Sequence, residues 1–125
     1  MGMHMQQLKE WCSDAPVFRQ EVLDWIAKEN LWNIWVPKAF GGREMSLTEG
    51  LKQLQSLART DGSLGWTVTL CSGANFFIGN LQPEVAKEFF AQPAIFGGSG
   101  GMFGTAEKEG SSYRLNGTWR YATGA

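Results

Sequence analysis

The fold class of this protein is decided by the stretch Ala106-Glu-Lys-Glu-Gly110-Ser-Ser-Tyr113-Arg-Leu-Asn116-Gly117-Thr-Trp119-Arg-Tyr121-Ala-Thr123-Gly124-Ala125. Polar and apolar residues alternate in two short runs that flank the Asn116–Gly117 pair. Asn-Gly between alternating runs is the strongest short-range signal of a hairpin with a type I′ turn. A two-stranded hairpin is marginally stable alone. The stretch therefore predicts two antiparallel strands that open a larger sheet.

Helical spacing dominates the chain before this stretch. Ser13-Asp14-Ala15-Pro16 has a capping side chain followed by proline, which predicts the start of a helix that ends at Asn30. Ser46-Leu47-Thr48-Glu49 is a capping box for a second helix that runs to about Arg59. Asp61-Gly62-Ser63 breaks that helix and caps the next one.

The third helix is apolar on every side. Hardly a charge occurs from Leu64 to Ile78, and a helix that is apolar all round is a buried one. A short fourth helix is predicted from Pro83 to about Phe90. The apolar segment Leu31–Phe40 contains Pro37, which removes a ladder donor and favours a loop over a strand.

These patterns predict an α+β chain with two parts. Residues 1–92 form an N-terminal α-helical domain, and residues 93–125 form the first antiparallel strands of an incomplete β-domain. The boundary follows from the composition, which becomes rich in glycine after Pro93 and then acquires a period of two.

Composition and charge exclude several classes of function. Eleven basic and twelve acidic residues are interspersed, and the net charge is −1, so no basic face for nucleic acid is expected. No apolar run approaches the ~20 residues of a membrane span, and no signal peptide precedes the chain. A cytoplasmic protein is expected, with Cys12 and Cys71 as reduced thiols and no metal site. His4 is the only histidine, which leaves no basis for Ser-His-Asp or Cys-His chemistry.

Two features are candidates for ligand binding. The segment Gly97–Gly104 is glycine-rich but leads into strands, whereas a phosphate-binding loop leads into a helix. It is either a flexible loop or a loop that contacts a ligand closely. In a strand, Trp119, Tyr121 and Thr123 share one face. That face could hold a planar heterocycle, with the hydroxyl donating to a ring nitrogen, or it could reflect ordinary β-propensity.

Three segments resemble the acyl-CoA dehydrogenase superfamily. Leu31–Gly42 resembles its "G-L-x-x-x-x-x-P-x-x-x-G-G" segment, although Asn30 stands where the family has glycine. Leu57–Trp66 is similar to the "A-x-x-D-x-S-x-x-W" entry to the family's central helix. Ala106–Gly117 is similar to its "A-x-x-x-G-x-Y-x-x-N-G" hairpin. The three occur in the family's order and cover most of residues 30–125.

The resemblance implies a helical domain, a middle β-domain and a C-terminal helical bundle, with flavin between the last two. This chain would supply the first domain and the opening of the second. The resemblance places the aromatic residue near the flavin at Tyr121 and the hydroxyl that contacts the ring at Thr123. It also implies that Phe96 and Ser99 line the surroundings of the cofactor, which is FAD or, alternatively, FMN.

One loop departs from the dehydrogenases. Their "T-E-P-x-A-G-S-D" loop is replaced here by the shorter Phe96–Gly104. This is closer to a branch of flavin-dependent monooxygenases that take reduced flavin from a partner reductase and activate oxygen. The "W-x-F/Y-x-S/T-G" strand of that branch is also similar to Trp119–Gly124.

Three functions are therefore expected in turn. The first is dehydrogenation of an acyl thioester such as acyl-CoA, by a homo-oligomeric enzyme whose catalytic glutamate would lie beyond residue 125. The second is a reduced-flavin-dependent two-component monooxygenase that acts on a small molecule and is served by a flavin reductase. The third is a non-catalytic or self-associating module, because an exposed edge strand is a template for pairing.

Overall fold

The computed structural model describes residues 5–13 and 16–124. His4, Asp14 and Ala15 lie outside the described residues. The described part has five helices followed by two antiparallel strands, which confirms the α+β arrangement. The elements are α1 (Met5–Cys12), α2 (Gln20–Lys28), α3 (Leu47–Thr60), α4 (Gly62–Gly79), α5 (Pro83–Phe90), β1 (Gly104–Glu109) and β2 (Ser112–Gly117).

The N-terminal helices differ from the prediction. The sequence analysis did not predict α1, and α2 begins at Gln20 instead of within Ser13–Pro16. Ser13 belongs to the end of α1, because its N–H donates to the carbonyls of Lys9 and Glu10 at 3.0 and 3.3 Å. The predicted end of α2 is close to the observed one. Asn30 takes a left-handed φ of 55°, which stops the helical path just after Lys28.

The predicted capping box starts α3. The Ser46 hydroxyl accepts from the Glu49 N–H at 3.2 Å, and a Glu49 carboxylate oxygen accepts from the Ser46 N–H at 3.1 Å. Two of the backbone donors that a helix leaves unpaired are thereby satisfied. The hydrogen bonds to Ser46 hold the pKa of Glu49 below its ordinary value.

Asp61 joins α3 to α4, as predicted. Its N–H donates to the carbonyl of Leu57 in the last turn of α3, and its carboxylate accepts from the Leu64 N–H at 2.9 Å in the first turn of α4. The two helices then pack very closely, because a β-carbon at Gly65 would lie 2.5 Å from the α-carbon of Ala58.

The segment between α2 and α3 is a folded loop, as predicted, with 3-10 turns at Leu31–Asn33 and Lys38–Phe40. A chain of amide groups ties it to α4. Asn75 donates to Asn33 at 2.8 Å, Asn33 donates to Asn30 at 3.0 Å, and Asn30 donates to the carbonyl of Gly41 at 2.8 Å. Asn75 is fully buried, so this amide relay fixes the loop against the centre of α4.

The core lies between α1, α2, α3, the loop and one side of α4. Its fully buried members include Leu8, Ile26, Leu31, Ile34, Leu57, Leu64 and Val68. The prediction that α4 is buried on every side is wrong for its other side. Trp66 is 63% exposed and Phe77 73% exposed, because none of the described helices packs over that face of α4.

The hairpin turns at a different place from the prediction. Glu109 pairs with Ser112, so the turn is Gly110–Ser111, and Gly117 lies at the far end of the ribbon opposite Gly104. Gly110 has a φ of 63°, as a type II′ turn requires of its first central residue. The predicted turn at Asn116–Gly117 is wrong because Gly-Ser, which also permits a two-residue turn, comes first between the two pairing runs.

We predict that Ser46→Ala lowers the free energy of unfolding by about 1 kcal/mol at neutral pH, because the α3 cap is lost. The pKa of Glu49 is lowered in the folded state, so its contribution is present above the unfolded-state pKa and is lost as pH falls through the folded-state pKa. Urea unfolding at several pH values measures this, and the difference between wild type and variant should shrink in acid. A difference that stays constant into acid would contradict the role of Glu49.

We predict opposite effects for two glycines of α4. Gly65→Ala should destabilise the protein by about 1–3 kcal/mol, because the new methyl group meets the backbone of Ala58. Gly73→Ala should stabilise it by about 0.5–1 kcal/mol, because its β-carbon meets nothing within 4 Å and alanine is the better helix former. Thermal melts of the two variants provide the comparison, and equal shifts would contradict the close packing of α3 on α4.

Candidate functional site

A cleft of about 650 Å³ opens where the start of α4 meets the end of the described chain. Its volume lies in the range of small-molecule sites. Ser63, Thr67 and Thr123 contribute hydroxyl groups to its lining. The remaining lining residues are Cys12, Pro16, Val17, Phe18, Leu23 and Gly124.

Residues 120–124, called the latch below, lie along α4 and close one side of the cleft. The indole N–H of Trp66 donates to the hydroxyl oxygen of Thr123 at 3.3 Å. The thiol of Cys71 lies 3.5 Å from the carbonyl oxygen of Thr123 and donates to it. A β-carbon at Gly124, which has a φ of 92°, would collide with the Cys71 sulfur. Side chains from two successive turns of α4 therefore fix both the side chain and the backbone of Thr123.

The latch is not the predicted strand. Residues 118–122 have no strand pairing in the described structure, and Tyr121 takes a left-handed φ of 58°. A non-glycine residue in that region breaks the period of two. The prediction that Trp119, Tyr121 and Thr123 share one strand face is therefore wrong. Thr123 faces the cleft, whereas the Tyr121 ring is 88% exposed.

Ser99 and Phe96 adjoin the latch in different ways. The Ser99 hydroxyl donates to the carbonyl of Arg120 at 2.7 Å, which ties the glycine-rich segment to the latch. The Phe96 ring packs edge-on against Phe89 and Phe90 of α5, with ring centroids 5.7 and 6.4 Å apart. The structure thus brings Ser99 and Thr123 together on α4 and gives the Phe96 ring to α5.

Both thiols near the site are poor nucleophiles. Burial raises the pKa of Cys71, and burial together with the nearby Asp61 carboxylate raises the pKa of Cys12. A thiol with a raised pKa is protonated at neutral pH and does not attack an electrophile. Cys71 is fully buried, as predicted, and acts as a packing group under the latch.

The lining of the cleft, as far as the described residues show it, contains no charged side chain. The same residues contain no group of three potential metal ligands. Among them, no helix is both long and apolar enough to cross a membrane. The cleft offers hydroxyl groups and apolar surface, which can orient a ligand and keep water from it, but it offers no acid, base or nucleophile for the chemistry.

These groups fit the ring of a flavin. A planar heterocycle needs apolar contact and a few hydrogen-bonding groups at its edge. Phe18, Leu23 and Val17 supply the contact, and the Thr123 hydroxyl supplies a group at the edge. If flavin binds here, Thr123 would hold the ring edge and Ser99 would keep the latch in place.

Sequence reasoning missed three residues of the site, namely Trp66, Cys71 and Gly124 as contacts of the latch. Trp66 and Cys71 are separated by five positions in the apolar run of α4, and nothing in that run distinguishes them from core residues. The positive φ of Gly124 was the one readable signal, because glycine is the residue that tolerates it.

Comparison with known proteins finds distant relatives. Over 107 residues the chain is 27% identical to indole-3-acetate monooxygenase of Acinetobacter baumannii, a match that covers 84% of this chain and 27% of that protein. Over 108 residues it is 26% identical to indole-3-acetate monooxygenase of Pseudomonas putida, with 85% and 28% covered. The chain spans about a quarter of the length of these curated relatives.

Two further comparisons find no match. No protein-family model matches the chain, and no solved structure matches it. The chain is therefore a distant relative of two monooxygenases, and the resemblance to the wider superfamily rests on the three segments described above.

We predict that Gly124→Ala displaces the latch, because the new β-carbon would overlap the Cys71 sulfur. Cys71 should then react faster with a thiol reagent in native buffer, as measured by mass spectrometry of the labelled peptide. Gly110→Ala is the matched control. It carries the same penalty of a positive φ, but its β-carbon meets nothing within 4 Å. Equal labelling of Cys71 in both variants would contradict the docking of Gly124 on Cys71.

Proposed function

We propose that this chain forms part of a flavin-dependent monooxygenase that oxidises a small aromatic compound. The observation that carries the proposal is the similarity to two proteins named as indole-3-acetate monooxygenases over more than four fifths of the chain. The cleft supports it, because its apolar lining and hydroxyl groups suit aromatic ligands.

The residues of this chain would bind and orient, while the cofactor supplies the reactivity. A bound reduced flavin supplies the activation of dioxygen. Thr123 holds the edge of the flavin ring, and the apolar wall formed by Phe18 and Leu23 keeps water from it. The protonated thiols of Cys12 and Cys71 take no part. A partner reductase that delivers reduced FMN or FAD belongs to this proposal.

The dehydrogenation of an acyl thioester, which the resemblance first implied, stays a prediction. The matched relatives are named as monooxygenases, and the dehydrogenase loop is replaced by Phe96–Gly104. The homo-oligomer, the self-associating module and the division at residues 92 and 93 likewise stay predictions.

The proposal is tested in two steps. The purified protein is first mixed with FMN or FAD and desalted, and the visible absorbance of retained flavin is recorded. It is then supplied with a flavin reductase, nicotinamide cofactor, isotope-labelled dioxygen and indole-3-acetate, and the product is analysed by mass spectrometry. Retained flavin and labelled oxygen in the product are expected. Flavin without oxygen transfer would point to another flavin reaction, and neither result would overturn the proposal.

We predict that Thr123→Val weakens flavin binding about three- to tenfold, because one hydrogen bond to the ring edge is lost while the shape is kept. Thr123→Ser retains the hydroxyl and should bind flavin nearly as the wild type does. Titration of flavin fluorescence measures both. Unchanged affinity in Thr123→Val would remove Thr123 from the site.

A further inference from the structure

The contact between Trp66 and Thr123 joins positions that lie 57 residues apart in the sequence. Trp66 lies in the first two turns of α4, on the side that the described helices leave uncovered. Its indole nitrogen is 3.3 Å from the Thr123 hydroxyl oxygen. Most of the ring is exposed, so burial of the ring is not the main effect of this contact.

The chemistry of the two groups gives the contact a direction. An indole N–H can only donate, whereas a hydroxyl can donate one proton and accept at its oxygen. Trp66 therefore occupies one acceptor position of Thr123 and leaves the hydroxyl proton for another partner. Among the described residues, no acceptor receives that proton.

The backbone around Thr123 is fixed independently of Trp66. The thiol of Cys71 donates to the Thr123 carbonyl, and Gly124 packs on the Cys71 sulfur. With the backbone held, the remaining freedom of Thr123 is rotation about χ1, which has a few staggered positions. The Trp66 N–H selects the position in which the hydroxyl oxygen faces α4.

We propose that Trp66 is a positioning residue that presents the Thr123 hydroxyl to the cleft as a hydrogen-bond donor. The ligand atom that meets Thr123 must then be an acceptor, such as a carbonyl oxygen or an unprotonated ring nitrogen. This assignment rests on the proposed function, in which that ligand is a flavin.

A double-mutant cycle on FMN affinity tests the assignment. Trp66→Phe keeps an aromatic ring and removes the N–H, and Thr123→Val removes the hydroxyl. Each variant should raise the dissociation constant about three- to tenfold. The double variant should bind no more weakly than Thr123→Val alone, because Trp66 acts through the hydroxyl. Thr123→Ser should restore both the affinity and its sensitivity to Trp66→Phe.

Two controls separate positioning from structural damage. Trp119→Phe removes another exposed tryptophan that packs on the hairpin glycines, and it should leave FMN affinity unchanged. Benzothienylalanine at position 66 replaces the indole N–H by sulfur and keeps the shape of the ring. It should weaken binding as Trp66→Phe does, without lowering the melting temperature.

The possible results are distinct. Wild-type protein that binds FMN, with unchanged affinity in both position-66 variants or with additive losses in the double variant, overturns the assignment and leaves the proposed function standing. Wild-type protein that binds neither FMN nor FAD overturns the proposed flavin site and this assignment with it. A coupled loss that Thr123→Ser rescues supports both.

Discussion

The rest of this structure depends on the junction at Asp61. One residue ends α3 through its N–H and starts α4 through its carboxylate, so the direction of α4 is set within a single peptide unit. The contact of Gly65 with Ala58 then brings the two helices together at backbone distance. The core, the amide relay at Asn75 and the latch all lie against α4. An error in its direction would displace each of them.

The candidate site follows from the two sides of α4. One side is packed on the core, and the other carries Trp66 and Cys71 as contacts for the latch. The latch brings Thr123 to a cleft that has hydroxyl groups but no charge among its described lining residues. Such a site orients a ligand and lets a cofactor perform the chemistry. The uncharged lining also explains why no arrangement of catalytic residues was found in the sequence.

Local signals predicted most of the helical part. The Ser46–Glu49 box, the Asp61 cap and the Pro83 start each depend on residues within one turn, so they can be read directly. The hairpin and α1 were harder to predict. Two dipeptides, Gly110–Ser111 and Asn116–Gly117, both suit tight turns, and only pairing between the runs decides between them. The latch could not be predicted, because its contacts join Thr123 to residues more than fifty positions earlier.

The choice of turn has a consequence for the site. A turn at Asn116–Gly117 would draw residues 118–123 into a ladder with the run before it, and their backbone groups would be used for pairing. A turn at Gly110–Ser111 ends the ladder at Gly117 and leaves the following residues free to lie on α4. The two hairpins are mutually exclusive registers of the same residues. Selection for the earlier turn is therefore selection for the site, although the turn itself touches no part of the cleft.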